Sequence, residues 1–161
     1  SEIQMIGDWR QKDIFIDEAK KRNLDNIKFL PLEPQEMVSD VYSACSICFI
    51  PLKHGIIGNS VPSKAGLLME CHRAIVTTAD EGSDYSKMIN ENQIGIAVSD
   101  SDPGAATEAI LTLYRDKEKC TACGERGYKY GHNLYSRKNN MNMYLNLFFE
   151  LLEGSKWRYL F

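Results

Sequence analysis

The run Ile47-Cys48-Phe49-Ile50-Pro51-Leu52, then Lys53-His54-Gly55-Ile56-Ile57-Gly58-Asn59-Ser60, Val61-Pro62-Ser63-Lys64 and, one helix later, Ala74-Ile75-Val76-Thr77-Thr78, decides the fold class. Ile47–Leu52 is apolar throughout, the pattern of a parallel strand covered by helices on both faces. A loop with two glycines leads into a helix from about Val61 to His72, and Ala74–Thr78 is the next strand. Working outward, Ile3–Ile6 reads as a strand stopping at Gly7-Asp8, with Ile14, Ile16, Ala19 and Leu24 at helical spacing behind it. Asn26–Leu30 is a second strand ending at Pro31, and Met37, Val41 and Tyr42 share a helical face. Downstream lie the acidic turn Asp80–Asp84, a short helix through Met88 and Ile89, and a last strand, Ile94–Val98. Helices over about Pro103–Arg115, Lys119–Tyr130 and Arg137–Leu152 close the chain. Strands alternating with helices through short connections specify a Rossmann-like α/β fold, a parallel sheet with helices on both faces. No repeat or Pro/Gly-rich linker divides residues 1–161, so one domain is expected.

The 161 residues are 43% hydrophobic and 25% charged, with 19 basic against 22 acidic side chains and a net charge of −3. That is a soluble globular composition of single-domain size. The mild acidity lacks the basic footprint of a nucleic-acid binder, and no apolar run approaches the roughly 20 residues needed to cross a bilayer. The first residues read as a strand and not as an export leader, which implies a cytoplasmic chain. Its five cysteines are then expected to be reduced. Cys45/Cys48 and Cys120/Cys123 have the spacing of zinc ligand pairs. An extended backbone at Cys45–Cys48 would send the two side chains to opposite faces, however, so both pairs read as small buried hydrophobes and no metal is expected. Asp100-Ser101-Asp102 resembles a metal-binding acidic motif, but Asp102 immediately before Pro103 is the arrangement of a helix N-cap.

In a parallel sheet, ligands collect beyond the carboxyl ends of the strands, which points to the loops at Gly7–Arg10, Pro31–Pro34, Lys53–Lys64 and Asp80–Asp84. The third combines Gly55 and Gly58 with a helix start bearing Lys64. Free N–H groups at such a start favour an anion, and a cation in the first turn opposes the helix dipole unless an anion shares the site. The alternative is ordinary capping by Ser60 or Ser63, with Pro62 pre-set for the first turn. No G-x-G-x-x-G follows the first strand, which argues against a dehydrogenase-type dinucleotide site. A doubly wound sheet normally opens with the central strand that carries this turn, so the expectation is that the first strand is missing and the chain is a fragment. The sheet should then show a gap, a rearranged strand or a strand from another copy.

Val61-Pro62-Ser63-Lys64, its helix, and Ala74–Asp84 together resemble the donor-binding half of GT-B glycosyltransferases, specifically the retaining group known as family 4. The likeness extends to Asn26–Pro31, to Val41–Ile47, to Asn92–Val98 with Asp102-Pro103-Gly104, and to Gly124–Tyr130, nearly the whole chain. It is strongest toward members that transfer amino or deoxy sugars in cell-surface polysaccharide assembly. The resemblance implies a nucleotide-diphosphate sugar as substrate, no cofactor, and an acceptor glycan or lipid-linked sugar bound by an N-terminal half outside this chain. It places Asn59, Ser60, Val61, Pro62, Ser63 and Lys64 against the diphosphate and sugar, with Lys53, His54 and Gly55 in the same donor loop. Pro31 would lie beside the base, and Gly7 and Asp8 would line the crevice. Apart from the resemblance, the pair Asp80-Glu81 reads either as touching donor hydroxyls or as a solvated turn followed by a Ser83-capped helix. The Arg and Lys that relatives set on the diphosphate would precede Ser1, and no catalytic group is assigned.

One position departs from the family pattern. Two glutamates eight positions apart correspond to Asn59 and Leu67, and leucine cannot accept a ribose hydroxyl; Glu70, one turn on, is an imperfect substitute. The glycine usual after this helix is replaced by His72-Arg73. The expectation is a cytoplasmic enzyme half, peripheral at the inner face of the membrane, inactive alone and open to self-association. The rival readings are a non-catalytic binding or assembly domain of this fold and an unrelated Rossmann-like interaction module.

Overall fold

In the computed structural model, residues 2–55 and 61–153 are described, and they form alternating strands and helices. The chain comprises two compact units, Ser1–Val41 and Tyr42–Phe161. In the first, β1 (Ile3–Ile6) and β2 (Ile27–Leu30) pair in parallel, Ile3 opposite Ile27 and Ile6 opposite Leu30, with α1 (Lys12–Lys21) as the crossover. Lys12 in α1 donates to the carbonyls of Gly7 at 2.7 Å and Leu30 at 3.0 Å, tying the carboxyl ends of the two strands together. A 3₁₀ turn, Gln35–Met37, leads into α2 (Val38–Ser43) at the boundary of the two units.

The second unit is built on β3 (Ile47–Ile50), β4 (Ala74–Thr78) and β5 (Gly95–Val98), all parallel in the order β3-β4-β5. Between them run α3 (Ser63–Glu70) and α4 (Asp84–Glu91), followed by α5 (Pro103–Arg115), α6 (Lys117–Tyr135) and α7 (Arg137–Glu153). Every residue of β4 is buried, and the two-residue period of a strand divides its side chains between two cores. Ile75 packs with Leu68 and Met69 of α3 and Tyr85, Met88 and Ile89 of α4. Ala74 and Val76 pack with Ala109 and Leu113 of α5 and Cys120 and Cys123 of α6. Burial pushes the Tyr85 hydroxyl up to about 12.

Several sequence expectations change in detail. The third strand stops at Ile50 and not at Leu52, and Phe49 is 44% exposed, because β3 is an edge strand of its ladder and only β4 is covered on both faces. The helix expected over Val61–His72 runs only Ser63–Glu70: Pro62 is extended at ψ 132° and His72 has turned to φ +56°. The β1-β2 and β3-β4-β5 ladders share no strand among the described residues, so the strands form two parallel ladders instead of one. Asp102 is the N-cap of α5, accepting from Ala105 N–H at 3.1 Å, as expected. Cys120 and Cys123 are buried one turn apart on α6, also as expected. Cys45 and Cys48 do not diverge: their Sγ atoms are 3.0 Å apart, because Cys45 belongs to the turn before β3 and only Cys48 to the strand. Among the described residues, no helix is long and apolar enough to cross a membrane.

Candidate functional site

The carboxyl ends of β3, β4 and β5 are drawn together by hydrogen bonds that follow from where each strand stops. Beyond Ile50, the chain loses strand pairing at Pro51, and Thr78 takes over: its hydroxyl donates to Leu52 C=O at 2.7 Å and accepts Leu52 N–H at 2.8 Å. Thr77 donates to Ile50 C=O at 2.8 Å. The last described residues of the glycine loop are then held by two carboxylates. Asp80, just past β4, accepts from Gly55 N–H at 3.1 Å and pairs with His54 Nδ1. Asp100, past β5, accepts from His54 N–H at 2.8 Å. Gly55 has φ +73°, a left-handed conformation that glycine adopts without steric cost.

Beyond this loop in the chain comes the start of α3. Pro62 is its N-cap and makes no side-chain cap, so Ser63 is the first helical residue and not a capping one. Capping by Ser63 is thereby excluded, and Pro62 stands one position before the first turn. Lys64 is exposed and has no ion pair among the described residues. Ser60, the other expected cap, lies outside the described residues. Among those described, no side chain caps this first turn and Lys64 has no ion pair, and a helix start with a cation beside its N–H groups is a place for an anion.

Two clefts meet at this helix start. One, of about 370 Å³, is lined by Phe49–Leu52 and Pro62–Lys64. The other, of about 490 Å³, lies between α3 and α6 and is lined by Val61, Pro62, Ser63, Leu67 and Glu70 on one side and His132 and Tyr135 on the other. Leu67 is 50% exposed there, and Glu70 faces His132 at 3.6 Å.

The expected site residues are thus distributed unevenly. Val61, Pro62, Ser63, Lys64 and Leu67 surround the two clefts, and His54 and Gly55 are anchored at the strand ends. Lys53 is exposed in the same loop, while Asn59 and Ser60 lie outside the described residues. Glu81 is exposed in the turn before Ser83, which caps α4 by accepting Ser86 N–H at 3.2 Å. Gly7, Asp8 and Pro31 belong to the first unit, where buried Gly7 has φ +126° and the other two are exposed. Sequence reading missed Asp80, Asp100 and Thr78 as anchors and Lys12 between two strand ends. For Asp80, Asp100 and Thr78 the available signal was an acidic or hydroxyl side chain at or just past a strand end, but their partners are 25 to 46 positions away.

A Rossmann-like second unit with its loops gathered at the strand ends fits many proteins, and comparison narrows the choice. Residues 2–130 match the family described as glycosyl transferases group 1. The chain belongs to that family. A probable glycosyltransferase, WbjE of Pseudomonas aeruginosa, is 27% identical over 68% of this chain and 30% of its own length. The sucrose-phosphate synthase of Thermosynechococcus elongatus has a TM-score of 0.75 at 18% identity, over 96% of this chain and 39% of that one. Anabaena HepE, solved in complex with UDP-glucose, has a TM-score of 0.71 at 12% identity, over 91% of this chain and 40% of that one. The fold is therefore that of the GT-B glycosyltransferases, and the unrelated interaction module is set aside. This group 1 glycosyltransferase chain spans 30% to 40% of the length of these relatives.

Proposed function

We propose that the chain is the donor-binding half of a retaining glycosyltransferase that moves a sugar from a nucleotide-diphosphate sugar to a glycan or lipid-linked acceptor in cell-surface polysaccharide synthesis. The observation that carries this reading is the start of α3: a helix terminus with no side-chain cap among the described residues, Lys64 in its first turn, and two clefts bordering it. Departure of a nucleotide diphosphate builds negative charge on the phosphate, and fixed N–H groups with a cation stabilise that charge without reorganising. The family match supports the same reading, as do HepE, solved in complex with UDP-glucose, and WaaG, a glycosyltransferase involved in lipopolysaccharide biosynthesis with a TM-score of 0.65. Acceptor binding belongs to the part of the enzyme outside this chain, residues 1–161 acting as one donor domain at the inner face of the membrane.

Calorimetric titration with UDP, GDP and their sugar conjugates tests the reading, with Lys64→Ala alongside. The expected result is binding of one nucleotide series and about a tenfold loss in the variant, as for one charge-assisted contact. Binding that Lys64→Ala leaves unchanged, or none by the full-length enzyme, overturns it.

One observation favours a second reading, a domain of this fold that binds without transferring. Leu67, half exposed on the cleft, stands where the family resemblance implies a ribose-binding carboxylate. Absence of turnover by a full-length enzyme that still binds donor would select that reading.

A further inference from the structure

The five cysteines form no disulfide, and they are not equivalent. Cys120 and Cys123 are buried on α6, whereas Cys45 and Cys48 are both partly exposed. The Cys45 and Cys48 sulfurs lie 3.0 Å apart, about 1 Å beyond a disulfide bond. The approach is built by the backbone. Cys45 lies in the turn between α2 and β3, its Sγ also donating to Tyr42 C=O at 3.3 Å, and Cys48 is the second residue of β3, held in register opposite Ile75. Arg73 fixes the turn from the next crossover, donating to Cys45 C=O at 2.8 Å and to Cys71 C=O. A guanidinium beside a thiol pair of C-x-x-C spacing is the electropositive, accessible setting in which cysteine is reactive.

We propose that Cys45 and Cys48 are a redox-active dithiol that exchanges with low-molecular-weight disulfides and closes to an intrachain disulfide. The Cys45 thiolate attacks one sulfur of a disulfide RSSR, forming the mixed disulfide Cys45-S-S-R and releasing one RS⁻. Cys48 then gives its proton to solvent and attacks Cys45 Sγ, which releases the second RS⁻. The dithiol is oxidised by two electrons and RSSR is reduced to two thiols. The division of roles follows the environment. The hydrogen bond from Cys48, aided by the Arg73 charge and opposed by burial, brings Cys45 down to about 7. Cys48 is pushed well up by that same contact and by burial, so Cys45 attacks and Cys48 resolves.

The test is equilibration of the chain at pH 7 in buffers of reduced and oxidised glutathione, followed by acid quench, alkylation and peptide mass mapping. The expected product has lost two alkylatable thiols and two hydrogens, with the bridge between Cys45 and Cys48. In Cys48→Ser, the glutathione mixed disulfide on Cys45 should accumulate instead. In reduced chain, alkylation of Cys45 should outpace that of Cys48 about tenfold at pH 7. Circular dichroism of Cys48→Ser and Cys45→Ser checks that each variant folds. The proposal is overturned if all five thiols stay alkylatable in fully oxidised glutathione, or if the bridge maps to another pair. It is equally overturned if folded Cys48→Ser gathers no adduct on Cys45.

Discussion

At the scale of single residues, two side chains bear most directly on the proposed donor region. Leu67 is half exposed on the cleft beside α3, at the position where the family resemblance implies a carboxylate that accepts from a ribose hydroxyl. Leu67→Glu is therefore expected to tighten nucleotide binding about tenfold, in line with a hydrogen bond to a charged group; calorimetry that finds no change would remove the ribose from this face of α3. Thr78 is the other decisive residue, because its one hydroxyl serves both backbone groups of Leu52. Thr78→Val keeps the shape and leaves Leu52 N–H and C=O without that partner, at an expected cost of about 1–2 kcal/mol in urea unfolding. Unchanged stability would show that water replaces the hydroxyl freely. Lys64 was legible in the sequence because a cation in a first turn is anomalous in itself. Thr78 was not, since a buried threonine in a strand looks the same whether or not its hydroxyl holds a neighbouring loop.

The elements show where local rules were overridden. The turn after α3 is a place for glycine, yet His72 takes the left-handed conformation at φ +56°. Its strain, of order 1–2 kcal/mol, is offset across the fold: Nδ1 lies 2.9 Å from Glu125 Oε1, and the ring stacks on Tyr128 at 4.0 Å between centroids. The close approach needs a glycine on the other side instead. A Cβ on Gly124 of α6 would fall 2.2 Å from His72 O, which the backbone cannot yield cheaply. Gly124→Ala is expected to destabilise by about 1–3 kcal/mol, measured by urea or thermal unfolding. A loss below about 0.5 kcal/mol would mean that α6 moves off the turn readily. Strand and helix positions were legible from periodicity, and Ile3–Ile6, Ala74–Thr78 and Pro103–Arg115 have the bounds expected. The ends of α3 were not, because Pro62 and His72 adopt backbone angles chosen by what packs against them.

At the scale of the molecule, stability is concentrated in the second unit. β4 is paired on both sides and buried on both faces, whereas β1 and β2 make one two-stranded ladder with Ile3 half exposed. Amide hydrogen exchange should accordingly be at least about tenfold slower at Val76 and Thr77 than at Met5 and Phe29, and equal protection would contradict this distribution. At the carboxyl end, α7 exposes Met143, Tyr144, Phe148, Phe149 and Leu152, more apolar surface than an isolated surface helix normally shows. The sequence by itself determined the alternation of parallel strands and helices and the glycine loop leading to Lys64. Both are local: periodicity, backbone freedom and side-chain chemistry can be read within one or two turns. Only the tertiary structure decided that Asp80 and Asp100 hold the His54-Gly55 loop, that β3 is an edge of its ladder, and that Cys45 meets Cys48. The first two depend on which strand ends come together, set by packing between residues remote in sequence, and the third on where the turn before β3 gives way to the strand.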